Sequence, residues 1–319
     1  MDSNAKIYVA GHTGLLGSAV VRKLRNVGYG RLLLRTHEEL DLRRFEPTVG
    51  FFEATKPDYV FMCAAKVGGI KANADAPADF LLENLQLQNN VIEASRRARV
   101  KKLLFVGSSC AYPKGATCPI AESALLTGPF EPTNEGYALA KVAGSRLCQA
   151  YRHQHGCNFI TAIPTNLFGI NDRYDHDRAH VLPALIAKLH RAKAESLSSI
   201  TIWGSGVPRR EFMLSDDCAD ALVFLMDDYD GADPVNVGTG EDLSIVELAE
   251  AVARVVGVTV TMEFDSSKPD GVMRKVLDVS RLRALGWSSR VKLEDGIRIA
   301  YADYTGRVAC ETEPNDPHV

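Results

Sequence analysis

A chain of 319 residues, 46% of them hydrophobic and 24% charged, can bury one large core or two modest ones, and two lobes are expected. Its formal net charge of −3 gives no electrostatic ground for nucleic acid or an anionic membrane as the main partner, so phosphate recognition has to be local. Seven cysteines, an odd number with no CxxC pair and no Cys/His cluster, argue against a disulfide framework or a structural metal site and fit a reducing cytoplasm.

From residue 6 the chain alternates short apolar runs (6–10, 32–34, 59–63, 102–106, 159–163) with amphipathic stretches (15–27, 44–54, 77–97, 135–155). The N-terminus carries no export signal, and the apolar runs fall well short of the roughly 20 residues that cross a bilayer. Strands alternating with helices predict right-handed βαβ units and a doubly wound parallel sheet of the Rossmann type, which binds ligands at the carboxyl ends of its strands.

Gly11, His12, Thr13, Gly14, Leu15, Leu16 and Gly17 stand between the first strand and the first helix. Glycines in that position allow the tight turn, the approach of backbone to a dinucleotide pyrophosphate and the packing of helix on strand, although the spacing is GxxGxxG. After the second strand comes Arg35, where an NAD-binding chain usually offers a carboxylate to the ribose 2′-hydroxyl. A cation there suits the 2′-phosphate of NADP(H), and Asp41 and Leu42 are placed to frame the adenine.

Ser108 directly follows the fourth strand, and Tyr137 and Lys141 form Tyr-x-x-x-Lys in the next long amphipathic stretch, where i, i+4 spacing sets them on one helix face. Hydride arriving at a carbonyl carbon requires a proton for the oxygen. A phenol supplies it if a nearby ammonium and the oxidised nicotinamide lower its pKa from about 10.

Past residue 164 the alternation breaks down. A polar loop (171–178), a helix (182–193) and a strand (200–203) are expected there. A strand-then-helix stretch (211–226), capped by Ser215, Asp216 and Asp217, returns to the first lobe, and a helix over 243–256 carries a Ser244/Glu247 capping box. The expected division is residues 1–170 with about 208–238 for the cofactor lobe, about 171–207 and 239–305 for a smaller α/β substrate lobe, and a disordered tail from 306 to 319.

The glycine turn, the strand-end serine and the Tyr-x-x-x-Lys together resemble the extended short-chain dehydrogenase/reductase family. Within it, GSSCAYPK (107–114), EPTNEGYALAK (131–141), PTNLFG (164–169), WGSGVPRREF (203–212) and SKPDGVMRKVLD (267–278) are similar to the GDP-L-fucose synthase group. The resemblance runs from about residue 6 to residue 304. It implies NADPH-dependent conversion of GDP-4-keto-6-deoxy-D-mannose to GDP-L-fucose by epimerisation at C3 and C5 and reduction at C4. Both Cys110 and His180 can titrate near neutrality with modest help, and the resemblance makes them base and acid. It assigns the cofactor to the glycine turn, Arg35, Asp41, Leu42, Val106, Gly107, Ser108, Ser109, Lys141, Pro164, Thr165, Asn166, Leu167 and His180, and the GDP-sugar to Lys188, Trp203, Arg210 and Asp270.

It further implies a homodimer through helices 77–97 and 135–155. Thr13, where several bacterial relatives carry arginine, and Ile170, where they often carry proline, depart from the pattern. The alternatives are another nucleotide-sugar epimerase or dehydratase of the same family and, from a different class, a non-catalytic NADP-binding module.

Overall fold

Residues 1–175, 179–268 and 270–312 are described by the computed structural model. In the first half the order is β1 (Ile7–Ala10), α1 (Leu15–Asn26), β2 (Leu32–Leu33), α2 (Phe45–Thr55), β3 (Tyr59–Met62), α3 (Ile70–Asp75), α4 (Pro77–Arg97), β4 (Lys102–Val106), α5 (Glu135–His155) and β5 (Phe159–Pro164). Then come β6 (Asn166–Phe168), α6 (Val181–Ala194), β7 (Ser199–Trp203), β8 (Arg209–Arg210), β9 (Phe212–Leu214), α7 (Ser215–Asp228) and β10 (Val235–Val237). The chain continues with β11 (Leu243–Ser244), α8 (Ile245–Val256), β12 (Thr261–Asp265), β13 (Arg274–Lys275), α9 (Ser280–Ala284) and α10 (Leu293–Thr312).

Six strands form one parallel sheet in the order β10-β5-β4-β3-β1-β2. Its strands are mostly apolar because both faces are covered. Successive side chains alternate faces: Val9, Phe61 and Leu104 pack with Leu24, Leu222 and Leu225 of α1 and α7. Tyr8, Val60, Leu103 and Phe105 pack with Phe52, Val91, Ile92 and Cys148 of α2, α4 and α5 on the other face. Helix α5 lies close on β4 because residue 144 is glycine; a Cβ there would stand 2.4 Å from the Phe105 ring. That approach sets the Tyr137/Lys141 face against the end of β4.

From β1 the chain turns one way to β2, then returns to β3 on the other side of β1. This reversal opens a crevice beyond the carboxyl ends of β1 and β3.

A second core joins α6, α8 and α10 to β7 and β9 through Leu185, Ile186, Leu189, Ile202, Leu248, Val252 and Ile297. Small sheets surround it: β12 with β7, β11-β8-β13, and β6 with β9. The Ser244/Glu247 capping box opens α8 with both reciprocal hydrogen bonds. Glu211, fully buried between β8 and β9, accepts from the backbone N–H groups of Thr239, Gly240 and Leu277 at 2.6, 2.8 and 2.8 Å. One carboxylate thus ties the loop after β10 and the segment after β13 to β8 and β9.

Two expectations need correction, and one element was missed. Helix α7 begins at Ser215 with Leu214 in the cap position and no side-chain cap bond; Asp217 turns outward from its own helix to accept from Ser289 Oγ and the Arg290 N–H at 2.5 and 3.0 Å. Residues 306–312 continue α10, so the disordered tail does not begin at 306, while 313–319 lie outside the described residues, as does the 176–178 part of the polar loop. The short helix α3 is absent from the sequence reading, since six residues hold too few turns to display a period. Among the described residues no helix is long and apolar enough to cross a membrane, and no group of His, Cys, Asp and Glu side chains could hold a metal ion.

Candidate active site

The glycine turn occupies the crevice where the strand order reverses. Gly11 has φ +78°, and a Cβ on it would stand 2.7 Å from Cα of Ala64, just beyond β3. A Cβ on Gly17 would stand 2.0 Å from the Gly11 carbonyl oxygen, so neither position accepts a side chain. The N-cap of α1, Gly14, makes no side-chain cap bond, which leaves the first-turn N–H groups for an anion. Beside them His12 Nδ1 is buried and without a partner. An orphaned polar atom in a glycine cradle at a helix N-terminus fits a dinucleotide pyrophosphate.

At the end of β2 the exposed Arg35 lies over the Phe51 ring, 5.6 Å from its centroid, and donates to the Leu34 carbonyl at 2.8 Å. An exposed guanidinium at this strand end has the charge and donors that a 2′-phosphate requires. Asp41 commits both oxygens to Arg43, at 2.9 and 3.0 Å, and those hydrogen bonds hold its carboxyl below the ordinary carboxylate range. Leu42 is buried in the core under α2. Their side chains are therefore engaged within the protein, and Arg43, missed from sequence, is the second cation of this corner.

At the opposite end, Ser108 takes an extended conformation directly beyond β4, and its Oγ accepts from the Cys110 N–H at 3.2 Å. The Tyr137 phenol hydrogen-bonds the same serine. Lys141, 3% exposed, donates to the Val106 carbonyl at 2.9 Å and stands 5.7 Å from the centroid of the Tyr137 ring. Burial draws Lys141 down to about 8.

Among the protein's own groups, burial, with a smaller contribution from Cys110, raises the Tyr137 pKa. Desolvation of the phenolate outweighs an ammonium that faces the ring and donates to a backbone carbonyl. A phenol that keeps its proton is still the form that reduction requires.

The neighbouring positions are held by backbone or buried polar contacts. Val106 and Ser109 are buried, and Gly107 lies against Ile163. Beyond Pro164, Thr165 Oγ1 and Asn166 Nδ2 both donate to the Glu211 carbonyl, at 3.3 and 2.7 Å, and Leu167 continues β6. His180 occupies the cap position of α6 with an exposed side chain and no side-chain cap bond. Desolvation by surrounding protein nevertheless lowers its imidazole pKa, the combination produced on a cleft wall.

The second lobe contributes a connected set. Lys188 Nζ donates to the Thr201 carbonyl of β7 at 2.5 Å, and burial lowers its pKa. Two residues on, Trp203 is 55% exposed with the Lys268 ammonium 5.6 Å from its ring centroid. Arg210, lowered by burial, donates to the Asp270 carbonyl at 3.3 Å. The Asp270 carboxylate accepts from the Ser205 N–H and Oγ at 2.7 and 2.8 Å, so it shapes the turn after β7.

A second group missed from sequence is Lys275, whose Nζ lies 3.6 Å from Cys110 Sγ. It belongs to the 267–278 string, but no spacing rule connects residues so far apart.

Residues 7–238 match the NAD dependent epimerase/dehydratase family. The chain is 53% identical to GDP-L-fucose synthase 1 of Arabidopsis thaliana, over 96% of this chain and 95% of that one. It is 45% identical to GDP-L-fucose synthase of Escherichia coli K12, over 94% and 96% of the two chains. The crystal structure of a GDP-L-fucose synthetase from Naegleria fowleri bound to NADP superposes with a TM-score of 0.89 at 28% identity, covering 97% of this chain and 96% of that one. With a switch-point glycine turn, a strand-end serine beside Tyr-x-x-x-Lys and this full-length similarity, the chain belongs to the NAD dependent epimerase/dehydratase family and, within it, to the GDP-L-fucose synthases.

Proposed function

We propose that this protein converts GDP-4-keto-6-deoxy-D-mannose to GDP-L-fucose by inverting C3 and C5 and then reducing the C4 ketone. The observation that carries this reading is the placement of a second acid–base group, Cys110, beside the reductase pair Ser108 and Tyr137 at one sheet edge. The cofactor lobe we assign is residues 1–170 with about 208–238, and the substrate lobe about 171–207 with 239–305. Bound NADP(H) supplies the hydride for C4.

The C4 carbonyl acidifies the protons on C3 and C5. Cys110 Sγ, as thiolate, removes such a proton while the electron pair moves onto O4, and His180 returns a proton to the opposite face of the carbon. Proton exchange with solvent then resets both groups for the second centre. For reduction Tyr137 donates its phenolic proton to O4, Ser108 hydrogen-bonds that oxygen, and Lys141 holds the nicotinamide ribose. Lys188 and Arg210 meet the diphosphate, Trp203 lies along the nucleotide, and Asp270 sets the turn that carries them.

The reading includes work in the cytoplasm as a homodimer, with Leu82 of α4 and Leu139 of α5, 56% and 40% exposed, facing the second copy. A 4-epimerase of the same family recycles its cofactor, whereas this enzyme should oxidise one NADPH for each GDP-4-keto-6-deoxymannose consumed. Turnover without net NADPH oxidation, followed at the nicotinamide absorbance, would contradict the assignment.

A further inference from the structure

We infer that Lys275 is the positioning residue that holds Cys110 as a thiolate for proton abstraction. The inference rests on the reading of Cys110 as the base of the epimerisation.

Strands β8 and β13 run parallel with Arg209 opposite Arg274 and Arg210 opposite Lys275. Paired residues in register share a face, so these four cations divide into two pairs. Arg209 and Arg274 both turn to Asp242, donating at 2.9 and 2.5 Å, and Arg209 also pairs with Glu247 at 3.1 Å, so two carboxylates balance the two guanidiniums on that face. Arg210 and Lys275 turn the other way. Arg210 donates to the backbone carbonyls of Arg209 and Asp270, at 2.9 and 3.3 Å, and its charge meets that of the Asp270 carboxylate ahead of that of Cys110. Lys275 donates to Cys110 Sγ at 3.6 Å, and among the described residues it makes no ion pair with a carboxylate. The groups facing the thiol are thus Lys275 from β13, Arg210 from β8 and the neutral phenol of Tyr137 from α5.

An ammonium in hydrogen-bond contact with the sulfur and with no carboxylate partner of its own among the described residues favours the thiolate, the form that accepts a proton from carbon. The register is fixed from behind: the Glu211 N–H donates to the Lys275 carbonyl at 3.2 Å, and the Glu211 carboxylate accepts from the Leu277 N–H at 2.8 Å. The ammonium keeps all its protons during abstraction. The C–H bond breaks, the S–H bond forms, and the charge passes from sulfur to O4.

The test compares wild type with Lys275→Met, Lys275→Arg and Cys110→Ser in the full-length enzyme, with NADPH affinity as the check on folding. Iodoacetamide alkylation of the Cys110 peptide is followed by mass spectrometry as pH is raised, and solvent deuterium entry at C3 and C5 is followed without reduction. In Lys275→Met, alkylation near pH 7 should fall about 10-fold or more with its profile displaced to higher pH, and deuterium entry should slow similarly. Lys275→Arg should restore both to within about threefold of wild type, as a merely structural lysine would not require.

Should the methionine variant fail to bind NADPH, Lys275→Gln, closer in polarity, supplies the same readouts. Unchanged alkylation and exchange in the neutral variants, with only a raised KM for the GDP-sugar, would overturn the inference and make Lys275 a phosphate anchor. Deuterium entry that survives Cys110→Ser would instead overturn the reading of Cys110 as base.

Discussion

Tyr137→Phe is expected to slow reduction of the C4 ketone by about 10²–10⁴-fold, the range for loss of a positioned general acid, while NADPH binding stays near that of wild type. The effect should be confined to chemistry because the phenylalanine ring keeps the packing of α5 against β4 and a ring centroid 5.7 Å from Lys141 Nζ. What disappears is the hydroxyl shared with Ser108. Burial keeps the phenol protonated, so the wild-type enzyme carries its acid ready when hydride reaches C4. Stopped-flow NADPH oxidation beside a fluorescence titration separates the two effects. A variant that reduces within about tenfold of wild type would remove Tyr137 as proton donor.

The second large effect concerns stability. Glu211→Ala leaves the N–H groups of Thr239 and Gly240, half-buried, and of Leu277, buried, without their acceptor. Each orphaned donor costs about 1–3 kcal/mol, and water entering the cavity recovers part of that. The expected loss is about 3–5 kcal/mol, a large share of the roughly 5–15 kcal/mol that separates folded from unfolded states. Glu211→Gln should lose less, because its amide oxygen still accepts. Urea midpoints of the two variants measure the difference. An alanine variant within about 1 kcal/mol of wild type would show that these donors find other partners.

Much of this arrangement was legible in the chain, for identifiable reasons. Helices α4 and α5 run over the residues that their amphipathic periods delimit, because each has 21 residues to display the pattern. The glycine turn and Ser108 could be placed because the strands before them are continuous apolar runs. What stayed hidden depends on contacts between distant segments. Strands β8 and β13 have two residues each and carry no period, so neither the Arg210/Lys275 pairing nor the approach of Lys275 to Cys110 could be read. Glu211 looked like one more charge in a basic string, and only its burial reveals an acceptor for three backbone donors. The direction of the Tyr137 shift likewise turns on how deeply α5 and β4 bury the phenol, a quantity that residue spacing does not carry.

The account stands or falls on whether one site both inverts and reduces. The direct measurement is the conversion of GDP-4-keto-6-deoxy-D-mannose with NADPH in deuterium oxide, with the product examined by NMR. We predict a 6-deoxy sugar reduced at C4, inverted at C3 and C5, and carrying solvent deuterium at both inverted carbons. A product reduced at C4 with the original configuration and no solvent deuterium at C3 or C5 would contradict the account, leaving a ketone reductase in which Cys110 and His180 move no protons.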